Sequence, residues 1–158
     1  MPDLPASARR VQDKLAELGF ANQVVEMSDT TRSAADAAVS CGCEVAQIAK
    51  SIIFRAGVTG RAVLVMASGV NRVDEAKIAT ALGEKLAKAD ADFVRASTGF
   101  AIGGVAPIGH SEAPAIFIDR DLMGFASIWA AAGTPRAVFK LTPAELVRMT
   151  GGTVIEIC

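Results

Sequence analysis

The fold is decided by two apolar runs, which read Ser51-Ile52-Ile53-Phe54-Arg55 and Ala62-Val63-Leu64-Val65-Met66. The turn between them extends from Gly57 to Gly60, where glycine permits the backbone angles of a tight turn. Short apolar runs rich in β-branched residues are typical of buried strands. We therefore expect the two runs to pair as an antiparallel hairpin.

Helices and strands are mixed around this hairpin without a strict alternation. The clearest helix start is Thr142-Pro143-Ala144-Glu145, which supplies a cap, a first-turn proline and an acid at the third position. Ser33 and Asp36 resemble a second capping box, which opens an alanine-rich helix. The pattern predicts an α+β fold. We expect a single domain over residues 1–158, with a mixed, mainly antiparallel and partly barrel-like sheet flanked by helices.

Three further expectations concern segments near the hairpin. Glu44 to Ala49 is expected to form a short helical turn that leads into Lys50. Asn71 is a candidate cap for a helix that reaches Ala81. The segment from Phe125 to Ala132 holds the only tryptophan and is compatible with either a strand or a helix.

Composition excludes several classes of protein. Of the 158 residues, 51% are apolar and 21% are charged, which is near the average for globular proteins and argues against disorder. The net charge of −1 excludes the broad basic surface of a protein that grips long nucleic acid. A small local contact with RNA is compatible with this charge. We expect neither DNA nor a membrane as a partner.

The sequence also bears on the compartment. Residues Met1 to Pro5 have neither the basic start nor the apolar stretch of a signal peptide. The three cysteines are an odd number without the spacing of a disulfide framework, which agrees with a reducing compartment. Cys41-Gly42-Cys43 offers too few ligands for zinc, so small buried thiols are favoured and no metal is expected. We therefore expect a cytoplasmic protein.

The glycine loop, Gly103-Gly104-Val105-Ala106-Pro107-Ile108-Gly109-His110, lies between two apolar segments and holds the only histidine. A stiff loop with accessible backbone amides suits the binding of an anion or a carbonyl oxygen. The alternative is a turn that needs unusual backbone angles, with His110 capping it or facing solvent.

Lys50 precedes the first apolar run of the hairpin. If it lies near the glycine loop, its ammonium group can neutralise a phosphate or orient a carbonyl group. The alternative is a lysine whose aliphatic stem packs while its charged end reaches water.

The residues contain no conventional catalytic set. Ser111 beside His110 is not a nucleophile and base, because neighbours on a loop normally point apart. The glycines match neither a phosphate-binding P-loop nor G-x-G-x-x-G. Asp119 and Asp121 are candidates for acid or base chemistry and equally for a structural role in a turn.

Three motifs in this order resemble the YbaK family, the free-standing relatives of the editing domain inserted in bacterial prolyl-tRNA synthetase. They are Lys50 before Ser51-Ile52-Ile53-Phe54, the segment Thr98-Gly99-Phe100-Ala101-Ile102 continued by the glycine loop, and Ala132-Gly133-Thr134-Pro135-Arg136. The resemblance spans the chain from the Ser33 helix to the Pro143 helix. It implies an enzyme that hydrolyses the ester of a mischarged aminoacyl-tRNA, typically of proline tRNA.

The resemblance also assigns residues to this reaction. The family's lysine corresponds to Lys50, and its substrate loop corresponds to Gly103, Gly104, Pro107 and Gly109. Lys50 would hold the terminal adenosine or its phosphate, while loop amides bind the aminoacyl carbonyl and the oxyanion formed on water attack. The resemblance further implies that no conventional protein nucleophile takes part and that a substrate group such as the ribose 2′-hydroxyl helps to recruit the water. His110 is assigned to orienting water or substrate, and Thr31 and Gly133 to substrate binding.

The resemblance implies no cofactor, and its implied partners are the acceptor end of aminoacyl-tRNA and prolyl-tRNA synthetase. Gly133-Thr134-Pro135 stands where cysteine-removing members have a more basic turn. The amino acid removed is therefore open among alanine, serine, threonine and a small non-protein amino acid. The alternative function is a non-catalytic module that holds a tRNA end or a synthetase without turnover.

Overall fold

The structure is a computed structural model that describes residues 4–29, 31 and 33–158. The expectation for the first residues of the chain rests in part on Met1 to Asp3, which lie outside the described residues. No described helix is both long and apolar enough to cross a membrane. The helices are α1 (Ala6–Glu17), α2 (Ala34–Cys41), α3 (Glu75–Leu82), α4 (Ala91–Thr98) and α5 (Pro143–Thr150). The strands are β1 (Val24–Glu26), β2 (Ile48–Ala56), β3 (Ala62–Ser68), β4 (Leu86–Ala87), β5 (Ala115–Asp119), β6 (Ile128–Ala131), β7 (Ala137–Leu141) and β8 (Thr153–Ile155). Short 3-10 helices lie at Val45–Gln47 and Arg120–Gly124.

A mixed sheet of eight strands forms the centre of the described chain. Seven of the strands follow the order β1-β7-β6-β2-β3-β5-β8 across the sheet. The short strand β4 is an additional neighbour of β2. Pairing is antiparallel in β1–β7, β6–β7, β2–β3 and β2–β4, and parallel in β2–β6, β3–β5 and β5–β8. The sheet is open, because β1 and β8 form the two ends of the order. The expected α+β class is confirmed.

The predicted hairpin of β2 and β3 is present and lies inside this sheet. It pairs from Ala49 opposite Ser68 to Arg55 opposite Ala62. Leu64 of β3 packs into a core that includes residues of α1 and α5, while Val65 packs against Ile78 of α3. Both faces of β3 are covered, which is why its sequence is continuously apolar and not alternating.

The predicted helix starts at Ser33 and Thr142 are also confirmed. The Ser33 side chain accepts a hydrogen bond from Asp36 N at 3.1 Å. Thr142 and Glu145 form a reciprocal capping box. Glu145 N donates to Thr142 Oγ1 at 3.1 Å, and Thr142 N donates to Glu145 Oε1 at 2.8 Å. These contacts lie within one turn of the chain, so the local sequence suffices to encode them.

The expected helical turn from Glu44 to Ala49 is wrong in its extent. The turn is a 3-10 helix at Val45–Gln47, and β2 already begins at Ile48. Lys50 is therefore the third residue of a strand and does not lie at a junction between a helix and a strand. Pairing with β6 explains the early start of β2, since Ile48 lies opposite Trp129.

Asn71 does not cap α3, contrary to expectation. The cap is Asp74, whose Oδ1 accepts a hydrogen bond from Ala76 N at 3.0 Å. The Asn71 amide instead donates to Asp119 Oδ2 at 2.9 Å and to Asp121 Oδ2 at 2.7 Å. A buried carboxylate needs donors, and this long-range requirement outweighs the local capping preference of asparagine.

Asp119 joins the ends of β3 and β5. Its side chain is 1% exposed and accepts hydrogen bonds from Ser68 N and Asp121 N, each at 2.9 Å, in addition to the one from Asn71. Both carboxylates are thus occupied by structural contacts. The arrangement favours the structural interpretation of Asp119 and Asp121 over acid and base chemistry.

Replacing Asp119 tests this role. We expect Asp119→Ala to lower the free energy of unfolding by about 3 kcal/mol, because it leaves buried donors without an acceptor. Urea denaturation followed by the fluorescence of Trp129 measures the change. Glu156→Ala is the control, since Glu156 forms only exposed ion pairs with Lys77 and Arg120, and it should cost less than about 1 kcal/mol. Equal losses in the two variants would contradict the role of Asp119.

Candidate functional site

The candidate site lies where one edge of β2 loses its neighbours. On that edge β2 pairs with β6 at Ile48 and Ala49, and pairs next with β4 at Arg55 and Ala56. Within the described chain, residues 50–54 have no strand partner on this edge. Backbone groups that a further strand would engage are thus left for a loop or a ligand.

A small cavity of about 80 Å³ opens beside this gap. Four parts of the chain enclose it: the start of α2 with the preceding loop, the first half of β2, residues 103–105 of the glycine loop, and strands β6 and β7. Residues 103–105 are called the tip of the glycine loop below. Its lining residues are Thr31, Ser33, Ala34, Ala37, Ile48, Ala49, Lys50, Ser51, Gly103, Val105, Trp129, Ala130, Ala131 and Val138. The structure therefore brings Thr31, Lys50 and Gly103 together, although they are far apart in sequence.

Lys50 provides the charge of this cavity. Side chains alternate along a strand, so Lys50 shares the face of Ile48, which packs with residues of α2. Lys50 is half-buried, and no described residue accepts a hydrogen bond or an ion pair from its ammonium group. It is also the one charged residue among those described that line the cavity. An unpaired ammonium group beside apolar walls favours a bound phosphate or a polarised carbonyl oxygen.

The tip of the glycine loop lines the same cavity as Lys50, through Gly103 and Val105. Gly103 has a φ of 93°, a backbone conformation that favours glycine. The amides of Gly103 and Val105 donate to no acceptor in the described part of the chain. The amide of Gly104, in contrast, donates to Ala101 O at 3.0 Å. Gly103 and Val105, which both line the cavity, thus have amides without an acceptor in the described chain, whereas the amide of Gly104 is occupied.

Backbone hydrogen bonds hold the rim of the cavity together. Gly133 N donates to Gly104 O at 2.9 Å, which ties the glycine loop to the turn before β7. A Cβ on Gly104 would lie 2.9 Å from the backbone of Thr134, so this approach requires glycine. The buried Thr31 donates to Pro135 O from its amide at 2.5 Å and from its hydroxyl at 2.8 Å. The contribution of these three residues is structural: the hydrogen bonds of Gly104, Gly133 and Thr31 connect the loops at the rim of the cavity.

Besides Thr31, two serines with hydroxyl groups line the cavity. Ser33 Oγ caps α2, and Ser51 Oγ lies 3.3 Å from Met66 Sδ. Neither serine has a basic partner among its described contacts. The described lining residues therefore supply a cation, amides and hydroxyl groups, and none of them is a nucleophile paired with a base.

The second half of the glycine loop lies elsewhere. Pro107, Gly109 and His110 line a larger groove of about 740 Å³ between α1, α5 and the segment that leads into β5. They are absent from the lining of the Lys50 cavity. The glycine loop therefore has two sides, with its tip at one cavity and its carboxyl-terminal half at the other.

His110 is held by structural contacts in this groove. Its Nε2 donates to Ala106 O at 2.6 Å, and its ring meets the edge of Phe100 at a centroid distance of 5.8 Å. Burial lowers the pKa of His110 below its ordinary value; the hydrogen bond to Ala106 opposes this shift, and the nearby Arg10 adds to it. The imidazole is therefore neutral at physiological pH.

The thiols of Cys41 and Cys43 show no sign of reactive chemistry. Burial, with a smaller contribution from Cys43, raises the pKa of the Cys41 thiol to about 11. Burial also raises the pKa of Cys43. Both thiols are protonated at neutral pH and are poor nucleophiles. Within residues 4–29, 31 and 33–158, no group of His, Cys, Asp and Glu side chains could hold a metal ion.

Several lining residues escape prediction from the sequence. Ala34, Ala37 and Trp129 have no chemical signature, since alanine and tryptophan are ordinary core residues. Ser51 follows Lys50 directly, and the one available signal was its position in the predicted strand. Only the pairing of β2 with β6, which places Trp129 opposite Ile48, brings Trp129 to the cavity that Lys50 lines.

Comparison with known proteins identifies the family. The family model described as the aminoacyl-tRNA editing domain matches residues 28–149. This range contains every element that lines the Lys50 cavity. The chain belongs to the aminoacyl-tRNA editing domain family.

Three relatives are informative. A crystal structure described as that of a candidate trans-editing enzyme for prolyl tRNA synthetase superposes with a TM-score of 0.93, at 46% identity over 98% of both chains. YwhH of Bacillus subtilis, an uncharacterized protein, is 29% identical over 96% of this chain and 97% of its own. EbsC of Enterococcus faecalis, described as a candidate Cys-tRNA(Pro)/Cys-tRNA(Cys) deacylase, is 28% identical over 82% of this chain and 79% of its own.

The environment of His110 can be measured directly, because the protein has a single histidine. We expect its pKa to lie below the ordinary value of 6.5 in an NMR titration of the imidazole protons, and to return to about 6.5 in urea. Below pH 6.5 the unfolded chain binds the proton more readily than the folded one. The stability contributed by neutral His110 is therefore complete above pH 6.5 and is lost as the pH falls. A folded-state pKa above 6.5 would contradict the buried, neutral imidazole.

Proposed function

We propose that this protein hydrolyses the ester bond of a mischarged aminoacyl-tRNA and so removes a small, wrong amino acid. The observation that carries the proposal is the convergence of Lys50 and the tip of the glycine loop on one small cavity. Membership of the editing family supports the reaction class.

The cavity suits the reacting end of such a substrate. The free amides of Gly103 and Val105 are available to the aminoacyl carbonyl oxygen, and to the negative charge that develops on it. Lys50 supplies a positive charge for a phosphate of the terminal nucleotides or for the same oxygen. Apolar residues then enclose the amino-acid side chain.

The reaction adds water to the aminoacyl carbonyl carbon and breaks the bond between that carbon and the ribose oxygen. The water oxygen stays in the released amino acid, and the ribose hydroxyl regains a proton. None of the described residues that line the cavity is an evident base for the water. The proposal assigns the proton transfer to the neighbouring ribose 2′-hydroxyl of the substrate. Catalysis by the protein rests on positioning and on charge stabilisation.

The size of the cavity points to a small amino acid. A space of about 80 Å³ bordered by Ala34, Ala37, Ala49 and Ala130 accepts the side chains of alanine, serine, threonine or 2-aminobutyrate. Proline tRNA is the proposed carrier, because the names of two relatives refer to prolyl-tRNA synthetase or to tRNA(Pro). A net charge of −1 favours a brief contact with the acceptor end, or delivery by the synthetase, over tight binding of a whole tRNA.

The central test is single-turnover deacylation of proline tRNA charged in turn with alanine, serine, threonine, cysteine and 2-aminobutyrate. We expect selective release of one or more of these by the wild type. In Lys50→Met, which keeps the aliphatic stem but removes the charge, release should fall about 100-fold or more. The rate of loss of labelled amino acid from the tRNA is the measured quantity.

Lys88→Met provides the matched control, since Lys88 is an exposed lysine outside the cavity, and it should retain the wild-type rate. Equal activity in Lys50→Met and the wild type would refute the role of Lys50. Binding of charged tRNA without release above the uncatalysed rate would refute hydrolysis and support a non-catalytic module.

The role of the cavity in selecting the amino acid is tested by reducing its volume. We expect Ala37→Leu to lower the release of threonine about tenfold more than that of alanine, because the added atoms occupy the space of the larger side chain. Ala35→Leu serves as the control, since Ala35 is exposed on α2 and is not a lining residue. The ratio of the two single-turnover rates is measured in each variant, and an unchanged ratio in Ala37→Leu would show that the side chain binds elsewhere.

A further inference from the structure

Arg10 of α1 binds the backbone at both ends of the segment that carries the glycine loop. Its guanidinium group donates to Thr98 O at 2.7 Å and to Gly99 O at 3.4 Å, where the segment begins. It also donates two hydrogen bonds to Gly109 O, one from Nε at 2.9 Å and one from Nη2. A single side chain thus spans the beginning and the end of the segment 99–110.

The surroundings of Arg10 keep the guanidinium in place. Its Cζ lies 4.4 Å from the ring centroid of Phe100, a cation–π contact, and Phe100 is 1% exposed. The base of the segment is closed beside it, since Ser111 N donates to Thr98 O at 3.2 Å. Arg10 and Ser111 therefore share the Thr98 carbonyl as an acceptor.

The helix that carries Arg10 also supports the other side of the cavity rim. Gly133 packs so closely against α1 that a Cβ on it would lie 2.5 Å from Ser7 O. Gly133 in turn donates to Gly104 O at the tip of the glycine loop. Helix α1 thus contacts the segment 99–110 at its base and supports, through Gly133, the residue next to Gly103.

Helix α1 is firmly fixed by burial but lies outside the range that the family model matches. Its residues Ala8, Val11 and Leu15 are completely buried in the main core. The family model begins at residue 28, whereas α1 ends at Glu17. Family membership therefore assigns no role to Arg10.

We infer that Arg10 is a positioning residue for the proposed hydrolysis: it holds the segment 99–110 so that the free amides at its tip stay aligned with Lys50. The inference rests on the proposed function. Arg10 lines the larger groove and is not among the residues that line the Lys50 cavity, so it acts through the loop and not on the substrate.

The geometry requires arginine and not merely a positive charge. A guanidinium group carries five donors in a rigid plane, which allows it to serve carbonyl groups on both ends of the segment at once. A lysine ammonium group has one nitrogen and cannot span the same acceptors. Loss of the contact should leave the cavity residues present but poorly aligned, which affects the transition state more than the binding of the tRNA.

The test compares kcat and KM for the best substrate in the wild type, Arg10→Lys and Arg10→Ala, with added guanidinium in a parallel series. Leu15→Ala is the matched control, because it weakens the packing of the same helix but leaves Arg10 in place. All rates are taken at a temperature where circular dichroism shows each variant to be folded. Hydrogen exchange of the peptides that cover residues 98–111 is measured on the same samples.

We expect kcat to fall about tenfold or more in both Arg10 variants, with KM within about twofold of the wild type. Guanidinium should restore part of the kcat of Arg10→Ala, since the vacated space opens to the groove, and loop amides should exchange faster. The inference is overturned if kcat in Arg10→Lys stays within about twofold of the wild type, or if Leu15→Ala loses as much. If the wild type hydrolyses no ester, the proposed function fails, and the exchange data alone decide: faster exchange in the segment supports the role of Arg10, and unchanged exchange refutes it.

Discussion

The interrupted edge of β2 is the constraint on which the rest of the structure depends. One edge of this strand is occupied by β3 along its length, while the other is shared between β6 and β4. Residues 50–54 lie between these two neighbours, without a strand partner in the described chain. Residues 50–54 are half-buried, and backbone groups on their free edge need partners in water, a loop or a ligand. The fold thus leaves an interruption within its own sheet, and the Lys50 cavity lies beside it.

Loops cover this opening, and they are held mainly by one another's backbones. The glycine loop is bound to the turn before β7 through Gly104 and Gly133, and that turn is bound to the loop before α2 through Pro135 and Thr31. Two side chains add to these contacts: the Thr31 hydroxyl donates to Pro135 O, and the Arg10 guanidinium donates to the backbone at both ends of the segment 99–110. They give a rigid rim, in which donors are already in place when charge develops on a substrate.

The distribution of charge fits a substrate that brings its own reactive groups. Lys50 is charged and unpaired at the cavity, whereas Asp119 and Asp121 are occupied by Asn71 and His110 is neutral in the other groove. The acceptor end of a tRNA carries phosphates, which can bind to the charge of Lys50, and a ribose hydroxyl, which can serve as a reactive group. A near-neutral protein can therefore act on a polyanion through a local contact without gripping its whole length.

The sequence by itself determined the features whose physical causes are local. The turn between Gly57 and Gly60, the cap at Ser33 and the capping box at Thr142 each depend on residues within a few positions, and all were predicted. The order of motifs around Lys50 also indicated the family. What only the tertiary structure decided depends on distant partners: the strand conformation of β6, the diversion of Asn71 to Asp119, the division of the glycine loop between two cavities, and the contact of Arg10 with that loop. A periodic pattern records which face of an element is buried, but not which element buries it. The proximity of Lys50 and Gly103 was therefore implied by resemblance alone until the sheet order placed them on one cavity.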